Sequence, residues 1–154
     1  PYMRQRLDDH VLPFLDLQYL YALARAGCAD EAVQLLRNMQ AHAHRLAPAA
    51  LHHSWQQVCL PTAQGLLHYA QGRYALAADA LGQALPRMVA IGGSHAQRDL
   101  FTQIYWSALR HTGQWTALQN MLQPARNQQP QSKRLARHMQ RTYQALGLPD
   151  TLAR

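Results

Sequence analysis

Three glycines set the frame for this chain. Gly27, Gly72 and Gly113 each stand between apolar residues at three and four spacing, in LQYLYALARAGCADEAVQLLRNM (17–39), PTAQGLLHYAQGRYALAADALGQAL (61–85) and IYWSALRHTGQWTALQNMLQPA (104–125). Glycine takes the left-handed backbone that ends a helix without steric cost, so each segment reads helix, turn, helix. The turns lie 45 and then 41 residues apart. That period is in the range of helical solenoids, where one hairpin cannot bury its apolar face alone and must stack on the next. Strand-like alternation is nowhere sustained and β-branched residues are sparse. The expectation is all-α: a right-handed α-α superhelix of helix hairpins, about seven helices at roughly 14–26, 30–44, 55–71, 74–91, 95–112, 115–124 and 132–146.

Two prolines fall inside this map. Pro61 and Pro86 should each bend a helix, since proline removes a donor and crowds the preceding turn. The last helix carries Leu135, Met139, Thr142 and Leu146 as an apolar stripe suited to closing the end of a solenoid. Its opposite face carries Lys133, Arg134, Arg137 and Arg141.

At 154 residues and 48% hydrophobic, the chain suits a single domain over 1–154. Starting at Pro1, it also fits the C-terminal fragment of a longer chain whose binding surface continues upstream. The net charge of +7 comes from a charged fraction of only 15%, so it reflects scarce acids, with Glu31 the only glutamate. Such a surface predicts weak, salt-sensitive attraction to nucleic acid and no specific nucleic-acid partner. Cys28 and Cys59 are too few for a disulfide framework, which points to thiols in a reducing compartment and a cytoplasmic location. No apolar run approaches a membrane span, so no membrane association is expected.

The most unusual stretch is IGGSHAQRDLF, residues 91–101. Gly92 is placed to end a helix, and Ser94 with Gln97 forms the S-x-x-Q pattern of a capping box that starts the next. Asp99 complements the positive end of that helix, whereas Arg98 opposes it and calls for an acidic partner, with Asp16 the first choice. His95 and Asp99 are four apart and share a face. Asp16, His95, Arg98 and Asp99 therefore form a candidate polar site.

The middle segment, with Gly65 seven residues before Gly72 and Tyr74, Ala77, Leu81 and Ala84 after it, resembles the tetratricopeptide repeat. The outer copies resemble it more loosely. GLLHYAQGRYALAADAL and GGSHAQRD together resemble the C-terminal part of the tetratricopeptide repeat protein 38 family in its bacterial form, over most of residues 11–130. In that family the first hairpin opens Phe-Asn-Asp-x-His. Here Phe14, Leu15, Asp16, Leu17 and Gln18 stand there, keeping the aspartate and replacing the histidine. The resemblance implies an interaction architecture and supplies no reaction. It also implies that the first helix of each hairpin lines a concave groove, formed here by Leu17 and Tyr21, then Thr62, Leu66 and Tyr69, then Gln103, Ser107 and Arg110.

Catalytic patterns are weak. His42 and His44 diverge on a helix, His52 and His53 are neighbours, and no metal site is expected. There is no Gly-x-Ser-x-Gly elbow, no Cys/His pairing with recognisable context, and no phosphate loop with lysine. The expected function is a non-catalytic protein-interaction or scaffold module without cofactor, holding a peptide or protein partner in the groove through tyrosine anchors. The alternative is a small-ligand protein or enzyme centred on Asp16, His95, Arg98 and Asp99.

Overall fold

The computed structural model describes residues 3–46 and 49–149, and every regular element among them is helical. The chain divides into two compact units, Pro1–Ala108 and Leu109–Arg154. A 3-10 turn at Met3–Arg6 precedes α1 (Pro13–Arg25) and α2 (Ala29–Arg45). Then come α3 (Ala49–Ser54), a π-helical turn (Trp55–Cys59), α4 (Leu60–Ala70) and α5 (Tyr74–Ala84). A second 3-10 stretch, Leu85–Ile91, leads to α6 (His95–His111), whose last three residues belong to the second unit. That unit also holds α7 (Trp115–Gln128) and α8 (Lys133–Leu146). Among the described residues no helix is long and apolar enough to cross a membrane.

The glycine frame is present as expected. Gly27, Gly72 and Gly113 have φ of 79°, 75° and 69°. Beyond each, a backbone N–H reaches back over five residues: Cys28 to Leu23 O at 3.0 Å, Arg73 to His68 O at 2.9 Å and Gln114 to Leu109 O at 2.9 Å. This is the Schellman closure, which satisfies carbonyls that a helix end would otherwise leave orphaned. Gly147 repeats it after α8, with Leu148 N donating to Tyr143 O at 2.9 Å.

The prolines act differently from simple kinks. Pro61 is preceded by the π turn, in which Leu60 N–H bonds back to Trp55 O. The wider turn shifts the hydrogen-bond register just where proline lacks a donor, so the chain continues from Ala49 to Ala70 in one direction of winding. The helix expected at 55–71 therefore begins six residues earlier. Pro86 opens the 3-10 stretch that replaces the second half of the helix expected over 74–91. Pro124 lies within α7, which runs on to Gln128 beyond the expected end at 124.

In the first unit α1 packs on both α2 and α4, and α4 packs on α5. Leu17 and Leu20 of α1, Leu35 and Met39 of α2, Ala63 and Leu66 of α4, Leu81 of α5 and Phe101 of α6 are all fully buried there. In the second unit α7 packs on α8, and Leu118, Leu122, Leu135 and Met139 are buried. Ser132 caps α8 by accepting from Leu135 N at 3.4 Å.

Gly65 is where α4 and α5 come closest. A Cβ there would lie 2.7 Å from Leu81 Cγ and 3.3 Å from Leu81 N, a clash with a branch point and backbone that cannot swing aside. Alanine would gain about 1 kcal/mol of helix propensity, but overpacking costs about 1–3 kcal/mol, so the clash wins. Gly65→Ala is expected to lower stability in urea melts, and Gly65→Ala with Leu81→Ala should cost less than the sum of the two single changes. Additive costs would place the close contact elsewhere.

Candidate functional site

Asp16 sits in the first turn of α1, and its carboxylate is 2% exposed. The partner is not Arg98, as expected from the sequence, but His10, whose Nδ1 donates to Asp16 Oδ2 at 3.0 Å. His10 is 8% exposed and has φ of 41°, the only described non-glycine residue with positive φ. Histidine tolerates this region better than most side chains, and the buried hydrogen bond to Asp16 supplies the compensation. The His10 ring lies 4.9 Å from that of His42, which lies 4.8 Å from that of Trp55 on the π turn. His10 Nε2 is buried without a hydrogen-bond partner among the described residues. A carboxylate on Nδ1 fixes the orientation of the ring, so the cluster is an oriented, enclosed imidazole with its second ring nitrogen unpartnered among the described residues.

This cluster escaped the sequence reading. His10 lies six residues ahead of Asp16, outside any helix, so no periodic spacing links them; His42 and Trp55 arrive from other elements. Cys59 also lies near Asp16, and burial first, then the Asp16 charge, push its thiol well above the usual range. Neither Cys59 nor Cys28 forms a disulfide. Among the described residues no group of three or more His, Cys, Asp or Glu side chains is placed to hold a metal ion.

The glycine-serine corner is a joint. Ser94 N donates to Gln97 Oε1 at 2.7 Å and Gln97 N donates to Ser94 Oγ at 3.3 Å, the reciprocal capping box that S-x-x-Q predicts. Gly92 and Gly93 both have φ of 80°. A Cβ on Gly93 would lie 3.0 Å from the Phe14 ring, which stands edge-on to Phe101 at 5.7 Å. Phe14 thus wedges the start of α1 between the corner and the start of α6. Arg98 donates to the carbonyls of Gly92 and Gly93, clamping the corner across its own helix end. Asp99 accepts from Gln103 Nε2 at 2.7 Å, and His95 is exposed. The four candidate polar residues therefore divide between an interior pair and a surface joint.

The expected groove also divides. Leu17, Thr62 and Leu66 have no exposure and belong to the core, because α1 and α4 pack face to face where the groove floor was expected. Tyr21, Tyr69, Gln103 and Ser107 are half-buried and share the first unit, whereas Arg110 lies in the second. Tyr69 Oη hydrogen-bonds Ser107 Oγ at 2.8 Å, tying α4 to α6, and its ring meets Tyr74 at 5.4 Å. Burial raises the Tyr21 phenol, Arg25 opposes the rise, and nearby Tyr69 adds to it. The two tyrosines are thus neighbours across α1 and α4.

No protein-family model matches the chain, and no solved structure matches it.

Two outcomes follow from the interior cluster. His10→Ala leaves the Asp16 carboxylate buried and unpaired and should cost about 3–5 kcal/mol in urea melts, whereas His10→Leu with Asp16→Leu should cost far less. A cost below about 1 kcal/mol for His10→Ala would show that Asp16 does not depend on this partner. His42 is pushed below the ordinary histidine value of 6.5, by burial first and then by His10, with Asp16 opposing and Arg45 adding. His68 is lowered by burial and then Arg73. A lowered histidine binds protons more readily when unfolded, so its contribution is intact above about 6.5 and is lost as pH falls below that. The melting temperature should therefore drop between pH 7.5 and 5.5, and His42→Gln should flatten that drop.

Proposed function

We propose that the chain is a protein-interaction module of tetratricopeptide-like hairpins, which holds a helical or extended segment of a protein partner across α1, α4 and α6. The observation that carries this reading is the strip formed by Tyr21, Tyr69 and Ser107, one residue from each of these helices, half-exposed and joined through the 2.8 Å Tyr69–Ser107 hydrogen bond. Tyrosines held in place by neighbours lose little conformational freedom on binding and offer an apolar face with a polar tip, the character of interface anchors. Gln103 flanks the strip with hydrogen-bonding capacity. The buried Leu17, Thr62 and Leu66 serve it from beneath, as the packing that keeps α1 and α4 side by side. Resemblance of GGSHAQRD and the middle hairpin to the tetratricopeptide repeat protein 38 family fits a bacterial scaffold of this kind, working in the cytoplasm without a cofactor. A small-ligand or enzymatic role around Asp16, His95, Arg98 and Asp99 has less support, since Asp16 is engaged inside with His10 and Arg98 with the corner carbonyls.

A photo-crosslinking residue placed at Tyr21 or Gln103, in the chain expressed in its source cell, should capture a discrete protein partner. The same residue at Arg37, on the exposed face of α2, should not. Once that partner is purified, Tyr21→Ala should weaken its binding by about 2 kcal/mol, roughly 30-fold in Kd, with little change in melting temperature. Equal capture from both faces, or unchanged affinity for Tyr21→Ala, refutes the reading.

A further inference from the structure

The positive charge of this chain is unevenly divided. Residues 1–108 hold 8 Lys and Arg against 7 Asp and Glu, whereas residues 109–154 hold 7 against 1, so the second unit carries 6 of the 7 net charges. Its one acid, Asp150, lies outside the described residues.

Much of this charge gathers on α8. Arg134, Arg137, His138 and Arg141 line a concavity of about 200 Å3. Their spacing of three and four places like charges side by side on one helix face, which weakens a helix. Lys133 and Arg134 add cations to its first turn, where the backbone dipole is already positive and no acid is present. The buried face of α8 is formed by Leu135, Met139, Thr142 and Tyr143, and Arg134, Arg137 and Arg141 are exposed beside it. Arg110, in the last turn of α6, also acts on His138. An anion held in the concavity would relieve each of these repulsions at once.

The form of the concavity selects among anions. Guanidinium forks match the oxygens of phosphate, and several forks with an imidazole suit a compact group of nearly two charges and three acceptor oxygens better than a single carboxylate. A nucleic-acid strand would want stacking platforms beside the phosphate contacts. Tyr143, the one aromatic residue of α8, is 9% exposed and its hydroxyl donates to Gln123 Oε1 at 3.3 Å, so it offers no such platform.

We propose that the α8 concavity is a binding site for a phosphomonoester, whose terminal phosphate is held by Arg134, Arg137 and Arg141 together with His138. The phosphomonoester is carried either by a small metabolite or by a phosphorylated side chain of a peptide.

Calorimetric titration of the intact chain at fixed ionic strength tests this with inorganic phosphate, glycerol phosphate, and a neutral peptide with and without phosphoserine. Saturable one-to-one binding is expected, at least tenfold weaker in Arg137→Gln with Arg141→Gln and changed less than twofold in Lys133→Gln, which removes the same kind of charge beside the concavity. The double variant should melt at or above the parent temperature without ligand, since it loses like-charge repulsion. Tighter binding of glycerol phosphate than of the phosphopeptide assigns the site to a metabolite, and the reverse order to a protein-borne phosphate. Sulfate, which keeps both charges throughout, should bind more tightly as pH falls, because the bound anion favours the His138 imidazolium. That dependence should vanish in His138→Gln. The ionisable groups that face His138 are Arg110 on α6 and Arg134, Arg137 and Arg141 on α8, and these arginines stay charged throughout. Failure of phosphate, glycerol phosphate and phosphopeptide to saturate, equal weakening in Lys133→Gln, or binding confined to single-stranded RNA with a steep salt dependence would each overturn the proposal.

Discussion

Packing of α1 against α4 is the contact on which the first unit depends. Leu17 and Leu20 from one helix, and Ala63 and Leu66 from the other, are wholly removed from water. Each helix therefore buries apolar surface on two sides, against its own hairpin partner and against the first helix of the neighbouring hairpin. Small residues make the geometry possible. With Gly65 pressed to Leu81, α5 sits close on one flank of α4 and leaves the other for α1. The same contact turns Leu17, Thr62 and Leu66 into core, while Tyr21, Tyr69, Gln103 and Ser107 keep partial exposure.

The corner between the 3-10 stretch and α6 shows how local chemistry supports that long-range contact. Two successive glycines at positive φ turn the chain within two residues, and the second leaves the space that Phe14 occupies. Phe14 opens α1, so a turn late in the chain locates the start of an early helix. The capping box satisfies donors at the new helix end, and Arg98 holds the carbonyls of the turn. In isolation a cation at this position opposes the helix dipole. Its value lies in bonding two carbonyls that point out of the turn, a geometric role that charge arithmetic along the helix does not reveal.

What the sequence discloses follows the range of the interaction that sets each feature. The hairpin turns at Gly27, Gly72 and Gly113 and the Ser94–Gln97 box are dictated within about five residues, and each stands where residue type and spacing put it. Helix limits were less legible wherever proline competes with packing. The π turn before Pro61 shifts the hydrogen-bond register, and α7 continues through Pro124, so neither proline acts as the simple kink or stop that its local preference predicts. The candidate polar site was least legible. Asp16 was expected to pair with Arg98, whereas it meets His10, which sits on irregular backbone with positive φ, where no periodicity operates. Helix faces can be assigned from periodicity, but which face meets another helix depends on stacking that no single segment encodes, so Leu17, Thr62 and Leu66, expected on a groove, lie in the core.

The two units treat charge in opposite ways, and the contrast gives the net charge of +7 a structural meaning. In the first unit acids and bases nearly balance, and among the described residues its one fully enclosed carboxylate, Asp16, meets an imidazole at 3.0 Å. In the second unit all but one of the Lys and Arg residues are arginines, which keep their charge at any physiological pH and cannot relieve mutual repulsion by losing a proton. Of the groups that line the concavity, only His138 can do so. Burial, then Arg110, Arg134 and Arg141, push it toward the neutral form, so the concavity is already moderated where moderation is chemically possible. The remaining potential is permanent. A surface organised this way favours anions from solution over a wide range of pH, while the histidine sets how strongly they are favoured as the medium becomes acidic.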